Sequence, residues 1–563
     1  MIIQKAVSKI YRSINFRIIN PLKQKKRYFQ GVYFFRKQLK KFIDQHFTEN
    51  KESVVVWETG GCDLIFKKNA IIAQALKLRG YKTYFVVCDG LSVACSCREV
   101  RGEFNIKKWK QSCEYCLKRM LEIGYKYDVP VLKSSSFISE KLKKQSYEFA
   151  METDLSMLQN YEIDSVNLGN IAWMSTVRYM QGNLTQFEDM MVDEIRIYRL
   201  YFYAAVINFY VAKNILREHC PISSLTSHGV YVDYAPAFLL ANKLGINSFA
   251  WNSSYEKFKH YFFNPKKLNR GISDELWNEF KVNKLGKTKA SLLDNFIKNR
   301  YANKSAADIY VTNNIVDEKS LKCKLGIKNN NPIAVLFTHI NWDAALDISS
   351  SIFESVNDWI LESISKMMSL DNINWIIRIH PAEMVHKGVF TVDDLIAKHF
   401  CDLPDYIKVI NSDSDINSYG LYSLLDVAIT LCGTVGVEVP LLGKNVITCS
   451  YAHYTRKGFT VDARSKEEYF DYLTDLRKIK PLSMEQIDLA RKYAYLYFVA
   501  RQIPLSVINK KQGHWGDIDL NKLENLLPGK DPILDKLCDG IIKGEDIILD
   551  EECLKYWDRV KDL

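Results

Sequence analysis

The segment Cys432-Gly433-Thr434-Val435-Gly436-Val437-Glu438 follows the β-branched run 426–430 and leads into Pro440 and Gly443. A small-residue turn between a strand and a helix exposes backbone N–H groups and the positive end of the helix dipole, an arrangement that receives phosphate. In this turn Thr434 adds a hydroxyl to the backbone of Gly433, Val435 and Gly436, and Glu438 falls where a carboxylate accepts from the two hydroxyls of a ribose. A glycine pattern of this kind also arises when a helix merely packs close to its neighbours, so it needs support from other segments. Two segments give it. His380-Pro381-Ala382-Glu383 follows the run 375–379, and proline there favours a turn that leaves the imidazole at the strand end, able to donate to a phosphate oxygen. Thr338-His339-Ile340-Asn341-Trp342-Asp343 follows the run 332–337 and carries Thr338 and Asn341 to the same rim.

These segments make one site only if a parallel sheet aligns them, because ligands of open α/β sheets bind beyond the carboxyl ends of the strands. The spacing predicts such a sheet. Short β-branched runs at 332–337, 375–379, 407–410, 426–430 and 445–448 alternate with helical segments. A second set lies upstream. Ser53-Val54-Val55-Val56-Trp57, the turn Glu58-Thr59-Gly60-Gly61, an apolar-periodic stretch to Leu78 and Thr83-Tyr84-Phe85-Val86-Val87 form a βαβ unit. The runs 225–229 and 248–251 repeat it around a helix rich in alanine and leucine. At about 150 residues per domain the length of 563 allows two such units and extra elements. We therefore expect an α/β protein of two Rossmann-like domains facing a cleft. The assignments are a basic arm at 1–50, a first α/β domain at 51–305, a second at 306–480 and a helical tail at 481–563.

The net charge of +11 is concentrated at the N-terminus, where residues 1–41 hold lysines and arginines from Lys5 to Lys41 and no acid. Aromatic and branched residues interleave with them, giving either a basic amphipathic arm suited to anionic lipid or a helix packed on the body with a solvated basic face. No nucleic-acid-reading motif accompanies this charge, so no nucleic-acid partner is expected. The longest apolar stretch, 200–212, is bounded by Arg199 and Lys213 and reads as a buried helix, too short to span a bilayer. The N-terminus lacks the apolar core of a secretory signal. A cytoplasmic location with peripheral membrane contact follows as the expectation. Of 13 cysteines, Cys88, Cys95, Cys97, Cys113 and Cys116 crowd together. Four of them would suffice for a structural zinc ion, and reduced, buried thiols are the alternative. Asp413-Ser414-Asp415 has the form of a metal-binding pair, but it precedes a helix near Ser418 and suits capping.

Taken together, the run 424–430, the Gly-Thr-Val-Gly-Val-Glu turn, Gly443-Lys444-Asn445-Val446-Ile447, His380-Pro381, Lys457-Gly458-Phe459-Thr460 and Glu467-Glu468-Tyr469-Phe470 resemble bacterial capsule and surface-polysaccharide biosynthesis proteins. That family is similar to glycosyltransferases of the GT-B fold, including those that use CMP-linked sugars such as Kdo. Ser227-His228-Gly229-Val230-Tyr231 and the cysteine cluster also look like members of the group, so the resemblance spans about 51–545. It implies that His380 and the 433–436 turn hold the phosphates of a CMP- or UDP-linked donor, and that Glu438 or its neighbours hold the nucleoside. It places a glycan or lipid-linked glycan acceptor and the base on the first domain, where Glu58, Asp63 and His228 stand at strand ends. No catalytic metal is implied. A non-catalytic scaffold of polysaccharide assembly and a sugar-nucleotide epimerase remain as alternatives, since both share the two-domain plan.

Overall fold

The computed structural model describes residues 20–48, 52–59, 62–96, 105–181, 184, 186–256, 258–264, 271–302, 317–342, 351–386, 390–512 and 516–561. Two sheets organise the chain. In the first, β1 (Ser53–Glu58), β2 (Lys82–Val87), β3 (Val131–Lys133), β6 (Ser223–Ser227) and β7 (Asn247–Ser253) are parallel. A small hairpin of β4 (Glu162–Ile163) and β5 (Val166–Asn167) lies apart. β8 (Lys259–Phe263) then adds antiparallel to β7. In the second sheet β9 (Ile333–Phe337), β10 (Asn374–Arg378), β11 (Ile407–Ile410), β12 (Val427–Thr430), β13 (Asn445–Thr448) and β14 (Val461–Asp462) are all parallel. β1, β9, β10 and β12 are buried along their whole length, as continuous apolar runs covered on both faces must be.

The strand orders place the functional rims. The second sheet reads β11-β10-β9-β12-β13-β14, and the first contains β3-β2-β1-β6-β7. In each, successive strands run outward from a central strand and then reverse to its other side. The reversal leaves a crevice between β9 and β12, and another between β1 and β6.

Five helices flank these rims or the outer face of the first unit: α1 (Asn20–His46), α2 (Asp63–Lys77), α3 (Trp109–Tyr127), α4 (Leu168–Met180) and α5 (Val192–His219). The expected buried helix at 200–212 is the central part of α5, whose Tyr201 to Phe209 are buried. Among the described residues no helix is long and apolar enough to cross a membrane. Of the basic arm, residues 1–19 lie outside the described residues. α1 packs a stripe of Val32, Phe35, Leu39 and Ile43 inward, three to four residues apart as one helix face requires. Arg36 pairs with Asp128 just beyond α3 and anchors the helix to the first unit.

The segment 481–563 is more than a helical tail. After the helix Met484–Tyr495 and a π-helical turn, Leu496–Ala500, Ile503–Pro504 forms β15 and pairs antiparallel with β8 at the edge of the first sheet. Leu505, Val507, Leu534 and Leu537 enter the same core as Val54, Ile71 and Phe85. Periodicity could not reveal a two-residue strand containing proline, which is tolerated only because it lies at an edge. The helices Asp274–Lys281 and Lys287–Tyr301, assigned from sequence to the first unit, pack with Val437, Tyr454 and Tyr493 of the second.

Candidate functional site

Three polar segments meet at the carboxyl rim of the second sheet. Thr338 follows β9, and its N–H donates to the Arg378 carbonyl at 3.0 Å. Its Oγ1 accepts from the His380 N–H at 3.0 Å, locking the loop after β9 to the loop after β10. His380 Nδ1 accepts from the Ala382 N–H at 3.1 Å, which assigns the ring proton to Nε2. Asn341 is 7% exposed, and among the described residues neither its amide oxygen nor its amide nitrogen has a partner. A buried amide left unpaired costs about 1–3 kcal/mol, a cost that a bound water or a ligand relieves. Across the crevice, Thr430 pairs with Phe337 at the ends of β12 and β9, which sets Gly433 and Thr434 opposite Thr338. Cys432, Gly433 and Thr434 are half-buried. Arg378, by contrast, is buried and serves the fold, donating to the Asn411 carbonyl and to Ser418.

Only the first part of the Gly433–Glu438 turn faces the crevice. The Gly436 N–H donates to the Gly433 carbonyl, and the Val437 and Glu438 N–H groups donate to the Thr434 carbonyl. Val435 is buried in the core with Phe337 and Val446. Gly436 lies against Tyr454 so closely that a Cβ would overlap the phenol ring. The Gly436 N–H is thus spent within the turn, contrary to its expected place in a phosphate cradle, and this glycine admits a neighbouring ring. Gly436→Ala is expected to destabilise the protein by about 1–3 kcal/mol through overpacking, measured by denaturant unfolding, whatever its effect on ligands.

Glu438 also departs from its expected part. It is 1% exposed, accepts from Arg300 Nε at 2.6 Å on one oxygen and from the Tyr422 hydroxyl at 2.7 Å on the other. Both oxygens are committed to protein donors, so this geometry does not offer the carboxylate to a ribose. Arg300 stands 138 positions away in the sequence, and nothing local announces the pair.

On the first sheet the crevice between β1 and β6 brings the three expected catalytic positions to one region with different exposures. His228 follows β6 and is exposed. Its N–H donates to the Trp251 carbonyl at 3.0 Å, and its φ of 57° turns the chain sharply at the strand end. Asp63 begins α2, and its side chain falls outside the described set. Glu58 ends β1 fully buried and accepts from the Asn69 amide, whose oxygen in turn accepts from Trp251 Nε1 at 2.7 Å. Burial pushes the Glu58 carboxyl up to about 8 against the lowering effect of Asn69. A base for an acceptor in an open cleft must reach that acceptor; Glu58 lies beneath the rim, whereas His228 is exposed there.

Because the fold favours protonated Glu58, the stability it contributes is full below the unfolded-chain value of about 4.3. That contribution is lost as pH rises towards about 8. Glu58→Gln is therefore expected to flatten the pH dependence of the unfolding midpoint and to raise it at about pH 8 relative to the unchanged chain, measured by thermal scans at about pH 5 and about pH 8.

One residue that joins the rims escaped sequence reading. Arg178, near the end of α4, donates from Nη1 to the Tyr231 hydroxyl at 3.0 Å, with its guanidinium 5.0 Å from the Tyr231 ring and 5.5 Å from the Trp342 ring. Tyr231 belongs to the turn after His228, and Trp342 follows Asn341. Val177 of α4 packs with Ile340, Trp342 and Ala382. The α4 helix thus ties both crevices together. The run Trp173 to Met180 reads only as an amphipathic helix, and its arginine carries no motif.

The cysteines do not assemble a zinc site among the described residues, where no three metal-ligating side chains come together. Cys97 lies outside the described residues. Cys95 is buried, and Cys113 and Cys116 are half-buried on α3. The Cys88 thiol is pushed up to about 11, by burial first and by the neighbouring Cys113 and Cys116 besides. Cys88, Cys95, Cys113 and Cys116 form no disulfide among the described residues. At Asp413-Ser414-Asp415 the cap of the following helix is Asn417, and Asp415 pairs with Lys324 at 2.5 Å.

No family model matches the chain, and no curated protein matches it in sequence. Among solved structures it is similar to KpsC of Thermosulfurimonas dismutans described as a beta Kdo 2,4 transferase, at 14% identity and a TM-score of 0.35 over 54% of this chain and 87% of that one. The beta Kdo 2,7 transferase KpsC of the same organism gives 14% identity and a TM-score of 0.32 over 60% of this chain and 96% of that one. The UDP-GlcNAc 2-epimerase of Neisseria meningitidis bound to UDP-GlcNAc gives 11% identity and a TM-score of 0.24 over 79% of this chain and 95% of that one.

Proposed function

We propose that this chain is a glycosyltransferase that moves a sugar from a CMP- or UDP-linked donor to a growing bacterial surface glycan. The observation that carries this reading is the crevice between β9 and β12, whose rim carries Thr338, Asn341, His380 and Thr434 and where the Asn341 amide is buried without a partner among the described residues. In the proposed reaction the bond between the anomeric carbon and the leaving phosphate breaks. A bond from that carbon to an acceptor hydroxyl oxygen forms, and the hydroxyl proton passes to His228. His380 Nε2–H and the Thr434 hydroxyl receive the charge that develops on the phosphate, a task that fixed donors perform without a divalent ion. Arg178 adds a cation between the rims, suited to an anionic donor. The acceptor lies on the first unit, and a cytoplasmic location belongs to the same proposal.

Nucleotide protection tests the donor side before any acceptor is known. A ligand at about 100 times its dissociation constant adds roughly 2.7 kcal/mol to stability. CMP or UDP is expected to raise the unfolding midpoint of the chain and to do so much less in Asn341→Ala. Equal protection of the variant would remove Asn341 from the site. With a sugar nucleotide in hand, consumption only when acceptor is present supports transfer; consumption without acceptor would favour an epimerase, and binding without turnover a scaffold.

A further inference from the structure

Beside its buried stripe and one turn before it, α1 presents Tyr28, Phe29, Tyr33 and Phe34 to solvent, with Tyr33 59% and Phe34 57% exposed. The facing helix α3 presents Tyr115, Leu121 and Tyr125, also exposed. Between the two helices runs a groove of about 840 Å³ whose walls include Tyr28, Phe29, Val32, Leu117, Leu121 and Tyr125. A contiguous aromatic patch of this kind on a folded surface marks an interaction site.

Charge identifies the occupant. Lys37 and Lys41 are exposed further along α1, where Lys40 is paired with Asp44 and Asp128, and Lys107, Lys108, Lys110 and Lys118 are exposed at and before the start of α3 and along it. Two acids flank the groove, Glu114 and Glu122, and Glu122 is paired with Arg119 at 3.0 Å. The exposed surface combines aromatic rings, which settle at the boundary between water and acyl chains, with long cationic side chains that reach around an apolar contact to phosphate headgroups. A nucleic-acid duplex, whose bases are already stacked, would satisfy the cations but leave the apolar groove unfilled.

We propose that the face formed by α1 and α3 docks on an anionic lipid bilayer, with the aromatic residues seated in the interfacial region. The groove shares Glu114 and Leu117 with a second cavity of about 500 Å³ lined by Asp89, Gly90 and Trp109, at the carboxyl end of β2. Docking here therefore turns the carboxyl rim of the first sheet towards the bilayer. The proposal stands on the surface alone and does not require the transfer reaction.

Flotation of the full chain with vesicles tests it. The chain is expected to float with vesicles of phosphatidylcholine and phosphatidylglycerol, to float poorly with phosphatidylcholine alone, and to be released as salt screens the charges. The double substitution Tyr33→Ser and Phe34→Ser, at exposed positions, is expected to lower partitioning about tenfold with an unchanged unfolding midpoint. Lys37→Glu with Lys41→Glu is expected to lower it on anionic vesicles alone. Undiminished flotation of the aromatic variant would overturn the proposal, as would equal binding to neutral vesicles. So would displacement onto single-stranded DNA offered in competition, or a dimer in solution that the aromatic substitutions disperse while no vesicle binding is found.

Discussion

Replacing His380 by alanine is expected to lower turnover about 100- to 1000-fold while leaving the unfolding midpoint close to that of the unchanged chain. The magnitude is that of removing one fixed donor from a site where negative charge develops. The Ala382 N–H holds Nδ1 as an acceptor, so Nε2 carries the proton, and the Thr338 hydroxyl fixes the backbone that bears the ring. Each of these contacts orients a donor before any substrate arrives. The loss should fall mainly in kcat, because charge on the leaving phosphate grows only as the bond breaks. Steady-state kinetics with a donor and acceptor pair, beside a thermal scan, checks it. An unchanged kcat would remove His380 from the chemistry, and a matching loss of stability would reassign it to the fold.

Arg300→Ala is expected to destabilise the protein by about 3–5 kcal/mol, because it strands a carboxylate in the interior. Arg300 and Glu438 are 8% and 1% exposed, and their 2.6 Å pairing is surrounded by rings. The guanidinium lies 4.8 Å from Tyr255, 5.6 Å from Phe498 and 5.8 Å from Tyr419. Without it, Glu438 keeps only the Tyr422 hydroxyl as a partner. Denaturant unfolding of the unliganded chain gives the answer directly, and replacing both partners with apolar residues should recover part of the loss. If Arg300→Ala unfolds like the unchanged chain, Glu438 does not depend on this cation, and a role for it towards a nucleoside returns.

The parallel strands were legible because burial on both faces writes them as unbroken apolar runs: Val54-Val55-Val56, Ile333-Ala334-Val335-Leu336, Ile376-Ile377. His380 was legible too, since proline after a strand fixes a turn wherever it occurs. Asn341 could be placed on the rim, but its lack of a partner is a property of every neighbour at once. Glu438 and Gly436 show the limit of local reading. A carboxylate and a glycine near a helix start suit a nucleotide by type, yet their use is decided by Arg300 and Tyr454, which arrive from other parts of the chain. Edge strands were lost for the related reason that β14 and β15 are two residues each and exist only through the partner they lean on.

The return of the chain to the first sheet bears on how the protein is made. The first unit is begun before the second but cannot be completed until residues beyond Ile503 leave the ribosome, and Leu534 and Leu537 follow later still. The sheet of the second unit, by contrast, lies within 333–462, and β9 with β12 is its one pairing of strands that are not consecutive in the sequence. Long-range pairing is slow because a large loop must be closed before any contact rewards it. The second sheet therefore forms without waiting, while the β8 edge of the first stays unpaired as residues 264–502 are made. During that interval its open backbone is the part of the nascent chain most exposed to wrong partners.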